Sequence, residues 1–171
     1  MNQTRFPLKK LIFIILMDFV FSAKTMAFEH PRYEIKASLH ADNKTMTVTQ
    51  SVEFTNNSHR PLSELYFHIY PHRHYSAQEK EFMMRYAGYF RIDPFPEGFQ
   101  SGDLEMASVK KGQASLLFYI EGEDKTILKV PLAETLRPGE KVTLTMDFTV
   151  KIPHAYGRFG WHENIASLSR W

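Results

Sequence analysis

One stretch near the C-terminal end constrains the fold more than any other. From Lys141 to Ile152, the residues Val142, Leu144, Met146, Phe148, Val150 and Ile152 are apolar, while Lys141, Thr143, Thr145, Asp147, Thr149 and Lys151 are polar. A period of two sustained in this way puts every apolar side chain on one face of an extended strand. One dry face and one wet face belong to an antiparallel sheet, because strands of a parallel sheet are covered on both sides. Arg137-Pro138-Gly139-Glu140, just upstream, is a tight turn with Pro and Gly suited to its two central positions.

The same period recurs along the chain. Tyr33, Ile35, Ala37 and Leu39 alternate with Glu34, Lys36, Ser38 and His40. After the polar turn Ala41-Asp42-Asn43-Lys44, Met46, Val48, Val52 and Phe54 alternate with Thr45, Thr47, Thr49, Ser51 and Glu53, and only Gln50 interrupts the apolar face. Two such runs around a short Asp-Asn turn predict a β-hairpin. Asn56-Asn57-Ser58-His59-Arg60-Pro61 has the composition of a loop. Leu65, Phe67 and Ile69 predict a third strand, closed by Pro71. Further strands are predicted at Leu104-Met106-Ser108, at Leu116 to Ile120, and at Ile127-Leu128-Val130 after the turn Gly122-Glu123-Asp124-Lys125.

Between His72 and Gly102 the alternation lapses. Ser76 followed by Glu79 is a capping-box pattern, which predicts a short helix over residues 77–87, and Asp93-Pro94-Phe95-Pro96-Glu97-Gly98 ends it. About seven short strands joined by turns predict an all-β, antiparallel sandwich with a short helical insert.

The first 27 residues have a different character. Arg5, Lys9 and Lys10 precede the apolar run Leu11–Met17, which Phe19-Val20-Phe21 extends past Asp18, and Thr25-Met26-Ala27 offers small residues for cleavage after Ala27. This is the layout of a secretory signal helix, or of an uncleaved N-terminal anchor, over residues 1–27. The apolar run falls short of the ~20 residues a spanning helix needs. The predicted location is therefore exported: periplasmic, extracellular or held at a membrane by the leader alone. The leader also explains the charge. The whole chain carries +2, residues 1–27 carry +3 from Arg5, Lys9, Lys10 and Lys24 against Asp18, and residues 28–171 are left at −1. The basic balance thus gives no argument for a nucleic-acid partner. The absence of cysteine excludes disulfides, thiolate metal sites and cysteine nucleophiles.

Three candidate chemistries stand out. His68, His72 and His74 are close in sequence, and three imidazoles can hold zinc or copper. Yet His68 sits on a predicted strand, the other two follow Pro71 in a loop, and no carboxylate stands at ligand spacing. His162-Glu163-Asn164-Ile165-Ala166 begins like the zinc motif H-E-x-x-H, but alanine occupies the place of the second imidazole, so the segment reads as a solvated loop. Tyr156, Gly157, Phe159, Gly160 and Trp161 form a glycine-aromatic segment, read as a chain reversal packed by its rings or as a binding edge. Nucleophile-elbow, P-loop and dinucleotide patterns are missing. No catalytic residue is assigned.

The order of the pieces carries a resemblance. Tyr33-Glu34-Ile35 opens the first strand, Val52-Glu53-Phe54-Thr55-Asn56-Asn57-Ser58 closes the hairpin, and Pro61-Leu62-Ser63-Glu64-Leu65-Tyr66-Phe67-His68-Ile69-Tyr70-Pro71 follows. Leu136-Arg137-Pro138-Gly139-Glu140, a long strand ending Ile152-Pro153, then Arg158-Phe159-Gly160 and Trp171 complete the series. This order resembles the N-terminal β-domain of aminopeptidase N-type zinc metallopeptidases, in particular their exported bacterial branch, over most of residues 32–171. The resemblance implies a saddle-shaped β-sandwich over residues 28–171 that precedes a thermolysin-like catalytic domain. In that family the catalytic domain supplies H-E-x-x-H, a glutamate ligand and a Gly-x-Met-x-Asn strand, and the substrates are peptides.

Those elements do not occur in these 171 residues, and no catalytic, metal or substrate residue carries over. The expectation is a non-catalytic domain, truncated relative to the family's own, with no cofactor in this chain and zinc only in an intact family enzyme. Its expected partner is the catalytic domain. The rival expectation is a stand-alone exported binding module that uses the aromatic insert 72–102. A third is a small metal-binding protein built on His68, His72 and His74.

Overall fold

The computed structural model describes residues 29–169 apart from Pro94, Pro96 and Tyr156. The proposed leader, residues 1–27, lies outside them. Among the described residues no helix is long and apolar enough to cross a membrane.

In chain order the strands are β1 (Arg32–His40), β2 (Thr45–Thr55), β3 (Leu62–His68), β4 (Asp103–Lys111), β5 (Ala114–Ser115), β6 (Tyr119–Glu121), β7 (Ile127–Leu136), β8 (Lys141–Lys151), β9 (Phe159–His162) and β10 (Ile165–Leu168). A helix, α1 (Ala77–Tyr89), stands between β3 and β4. The fold is all-β, and the strand pairs are antiparallel. One sheet runs β1-β2-β8-β4-β5, a second runs β3-β7-β6, and β9 with β10 forms a separate hairpin.

Strand β8 occupies the middle of the five-stranded sheet. It pairs with β2 without a register shift from Thr45↔Lys151 to Thr55↔Lys141. Its apolar residues Val142, Leu144, Met146, Phe148 and Val150 are all buried, Leu144 and Val150 completely. They share one core with Met46, Val48, Leu104 and Val109 of the same sheet and with Leu65, Leu128 and Val130 of the three-stranded sheet. Two sheets therefore pack face to face in sandwich-like layers. Each large aliphatic side chain enclosed there is worth about 1.5–3 kcal/mol of transfer free energy. On the wet face Asp147 accepts from Thr49 Oγ1 at 2.8 Å and Ser108 Oγ at 2.9 Å. Those two hydrogen bonds, with Lys110 nearby, hold its carboxyl below the usual range.

The structure corrects the expected alternation in several places. Period two continued from Leu104 and Met106 puts Ser108 on their face of the strand. Instead the register against β8 shifts between Met106 and Ser108, a β-bulge that turns Ser108 to the wet face and drives Val109, only 1% exposed, into the core. The strand expected from Leu116 to Ile120 is confined to Tyr119–Glu121, and Leu116 and Phe118 lean on the core from irregular backbone. Strand β7 runs on to Leu136 past Pro131, which lies where the β3 pairing is irregular, a position where a proline's missing N–H is tolerated.

The segment 56–61 reads as loop by composition, yet Asn56 is fully buried and joins the two sheets. Its N–H donates to Glu140 O at 2.9 Å, and its carbonyl accepts from Gly139 N at 2.8 Å. Its Nδ2 donates to Arg60 O at 2.8 Å and Leu136 O at 2.9 Å, while Oδ1 accepts from Ser58 N at 3.0 Å and Ser58 Oγ at 2.7 Å. A buried amide so fully satisfied fixes where β2, β7 and the turn before β8 meet. Gly139, at φ +79°, supplies the left-handed backbone that brings this turn back to Asn56.

Candidate binding site between the helix and the final hairpin

Helix α1 begins as its capping box requires. Ser76 Oγ accepts from Glu79 N at 3.2 Å, and Ser76 N donates back to Glu79 Oε2 at 2.8 Å. These contacts and the neighbouring guanidinium hold the Glu79 carboxyl below its usual range, the Ser76 backbone bond contributing most. Arg73 Nη2 donates to Glu79 Oε1 at 2.7 Å, its Nε lies 3.9 Å from Asp124 Oδ2, and its guanidinium sits 5.2 Å from the Tyr75 ring centre. His74 N donates to Asp124 O at 2.8 Å. The loop before the helix is thereby clasped to the turn before β7.

On the other side of the cleft the backbone after β8 folds onto β9. Trp161 N donates to Pro153 O at 2.9 Å, and Ala155 N donates to Trp161 O at 3.2 Å. This approach needs Gly160, since a Cβ there would stand 2.4 Å from the Ala155 carbonyl oxygen. Gly102 has a similar duty, because a Cβ would stand 2.5 Å from the Phe159 ring. His154 is buried and lies against Trp161 with ring centres 4.3 Å apart, and His162 stacks on it at 5.6 Å. Lys44 Nζ lies 4.6 Å from the Trp161 ring centre. Glu97 Oε2 comes within 3.2 Å of His154 Nδ1, at ion-pair distance but poorly aligned for a hydrogen bond.

Between these two walls lies a cleft of about 300 Å³. Tyr70, Tyr75, Phe95, Phe99 and Phe159 supply aromatic surface, Met83 comes from α1, and Arg73 and Arg158 supply charge. The rings support one another, with Phe99 edge-on to Tyr75 at 5.4 Å and to Phe95 at 4.9 Å. The two arginines differ. Arg73 is neutralised by Glu79 and Asp124, and the Glu79 hydrogen bond raises its pKa further. Arg158 has no carboxylate partner among the described residues, while its carbonyl accepts from Ser167 Oγ and Ser169 Oγ. Such a cleft suits an apolar or aromatic group that carries one negative charge.

The histidine trio does not converge. His68 stacks on Tyr70 with ring centres 5.0 Å apart. His72 and His74 lie 5.1 Å apart, and His72 Nδ1 pairs with Asp103 Oδ1 at 2.6 Å. Among the described residues no group of three His, Cys, Asp or Glu side chains could hold a metal ion. In the His162 segment Glu163 to Ala166 are exposed to solvent, as the loop reading expects, but strands enter and leave the turn. His162 ends β9, half-buried beside His154, and Glu163-Asn164 makes the hairpin turn to β10. Of the glycine-aromatic segment, Gly160 and Trp161 pack the chain reversal, while Gly157 and Phe159 line the cleft.

Sequence reasoning missed Arg73, Arg158 and the His72–Asp103 pair. The members of that pair are 31 positions apart with helix α1 between them, and nothing local signals such a contact. Compared with known proteins, the chain matches no family model and no curated protein.

Proposed function

We propose that the chain is a non-catalytic N-terminal β-domain of an exported zinc metallopeptidase of the aminopeptidase type. It packs on a catalytic domain and walls one side of a peptide-binding cleft. One observation carries the reading. Helix α1 buries none of its residues and exposes Phe82, Met84, Tyr86 and Tyr89, with Phe90 exposed at its C-cap. Phe82, Tyr86 and Phe90 recur every fourth residue and touch ring to ring, at 6.2 and 5.2 Å, so they form one stripe. A contiguous aromatic surface of this kind marks a face meant to be covered. The adjoining cleft gives that face a pocket of matching chemistry. The order of strands, turns and aromatics supports assigning the cover to a metallopeptidase catalytic domain and the sandwich to the saddle shape of that family.

The test is twofold. The purified full chain, supplied with zinc, is expected to release no product from an aminoacyl reporter. Zinc-dependent turnover that is abolished by a chelator overturns the reading. Translation of the DNA that follows the Trp171 codon is expected to reveal an H-E-x-x-H pattern.

The cleft itself favours a second reading, an exported binding module working alone. Arg158, a guanidinium with no carboxylate partner among the described residues, beside aromatic walls predicts capture of a small aromatic carboxylate such as an N-acylated phenylalanine. Binding that is lost in Arg158→Gln, in a chain whose gene continues into no peptidase, selects this reading over the first.

A further inference from the structure

Strand β1 is the edge of the five-stranded sheet, and all of its nine residues are exposed. Its partner β2 uses alternate residues for its two neighbours. Ile152 N donates to Lys44 O and Asn56 N donates to Glu140 O, so even-numbered positions of β2 bond towards β8. The odd-numbered ones, Thr45 to Glu53, therefore bond to His40, Ser38, Lys36, Glu34 and Arg32 of β1. The backbone N–H and C=O groups of Tyr33, Ile35, Ala37 and Leu39 are left facing the open edge. The side chains of the same four residues form the apolar face, and Tyr33, Ile35 and Leu39 are 53%, 46% and 51% exposed. The register is free of bulges and the strand contains no proline, so the edge lacks two of the usual devices that prevent pairing.

We propose that this edge pairs with β1 of a second copy of the chain, antiparallel and centred on Ile35, joining two five-stranded sheets into one. The charges select that centre. An antiparallel pair that keeps apolar faces together must be centred on a residue, so four positions near the middle compete. A centre on Glu34 sets Glu34 against Glu34, and one on Lys36 sets Lys36 against Lys36, both repulsive. A centre on Ala37 sets Lys36 against Ser38 and Glu34 against His40. A centre on Ile35 sets each Glu34 against the other copy's Lys36, twice, and stacks Ile35 on Ile35 and Tyr33 on Ala37 across the apolar face. Glu34 and Lys36 already share a loose pair at 3.6 Å, with side chains 73% and 80% exposed, and stand free to exchange partners. This inference is independent of the metallopeptidase reading.

The absence of cysteine makes the register directly readable. Ile35→Cys places two thiols at the dyad, where facing Cα atoms stand about 5.5 Å apart, within disulfide reach. Lys36→Cys places them about 8 Å apart by strand rise and spacing, out of reach. The full chain is expected to show a monomer–dimer equilibrium in sedimentation, with a dissociation constant on the order of micromolar for so small a contact. Under mild oxidation I35C is expected to form a covalent dimer and K36C to remain monomeric. Glu34→Lys is expected to raise the dissociation constant at least about tenfold, and the double change E34K/K36E to restore it, as only a reciprocal pair allows. A chain that stays monomeric at ~100-fold higher concentration overturns the proposal. So does a larger aggregate in place of a dimer, disulfide formation by K36C rather than I35C, or a double variant no better than E34K.

Discussion

Strands β1 and β8 carry the same message in sequence and meet opposite fates. Both alternate polar and apolar residues without error, and both sit in the same five-stranded sheet. Every apolar residue of β8 is buried, whereas no residue of β1 is. The difference comes from what lies across the core. Leu65, Leu128 and Val130 of the three-stranded sheet cover β8, β4 and β2. That sheet has fewer strands than the one it covers, and none of β1's side chains reaches the core. Periodicity therefore states which face of a strand is apolar, and the opposing layer decides whether that face is dry.

The sharpest way to test this contrast is to cut a hole under the cover. Leu144→Ala removes a completely enclosed side chain at the centre of β8. It is expected to cost roughly 2–5 kcal/mol, the transfer free energy plus the cavity left by a site pinned between β2 and β4. Urea unfolding should show a lower midpoint with an unchanged slope. A loss below about 1 kcal/mol would mean that the two sheets are not closely packed at Leu144, and the contrast with β1 would dissolve.

The next effect concerns how the cover is held. Asn56→Ala deletes a side chain that donates to Arg60 O and Leu136 O and accepts twice from Ser58. The buried Leu136 carbonyl loses its amide donor, and the end of β7 loses its tie to β2. A loss of about 3 kcal/mol is expected, since an unsatisfied buried polar group costs more than a formed hydrogen bond contributes. Asn56→Asp should rescue little, because a carboxylate keeps the bonds from Ser58 but cannot donate to either carbonyl. Equal stability of the wild type and the alanine variant, measured by calorimetry, would remove Asn56 from the joint between the sheets.

These two residues also mark what could be read in advance. The extended course of β8 and the shared face of Val142 to Val150 follow from sequence because period two is a local signal. So does the start of α1, where Ser76 and Glu79 meet within one turn. Asn56 was hidden because its partners at Leu136 and Glu140 are ~80 residues away, and composition alone puts two adjacent asparagines in a loop. The bulge that exchanges Ser108 for Val109 was hidden because one extra residue leaves no mark until a partner strand is aligned beside it. The cleft was half legible. Its aromatics stand out in two segments of the sequence, but their meeting depends on Gly102 and Gly160 admitting Phe159 and the Ala155 carbonyl, close contacts that appear only in three dimensions.

A smaller effect separates the helix from the sheets. Ser76→Ala removes the hydroxyl that accepts from Glu79 N and donates to Glu79 Oε2, leaves the backbone N–H bond to Glu79 in place, and is expected to cost about 1 kcal/mol. The loss should appear as faster amide exchange across Ala77–Tyr89 while β8 amides remain protected. Acid should act on the same place. The Glu79 carboxyl titrates below its ordinary value of 4.5 in the folded chain, because the Ser76 N–H, the Ser76 hydroxyl and Arg73 all stabilise the charged form. Its stabilisation is therefore complete above that ordinary value and fades as pH falls through the lower, folded-state value. Helix exchange should quicken in that window in the wild type and change less in Ser76→Ala. Helix protection that is indifferent to both would show that α1 is held by the cleft rather than by its cap.

The smallest effect completes the comparison between the two strands. Tyr33→Thr on β1 removes a large aromatic from an apolar face but takes it from water, with about half of its surface already solvated. Threonine keeps the extended backbone preference of the strand. In dilute solution, where chains are single, unfolding free energy is expected to change by no more than about 0.5 kcal/mol. A substitution of similar bulk on β8 would be ruinous, although the sequence pattern around both positions is the same. A loss at Tyr33 comparable to that at Leu144, measured at a concentration where sedimentation reports monomer, would require that the chain itself covers β1. The strand would then be a buried member of the sandwich, and its open edge would no longer be there for a second copy to use.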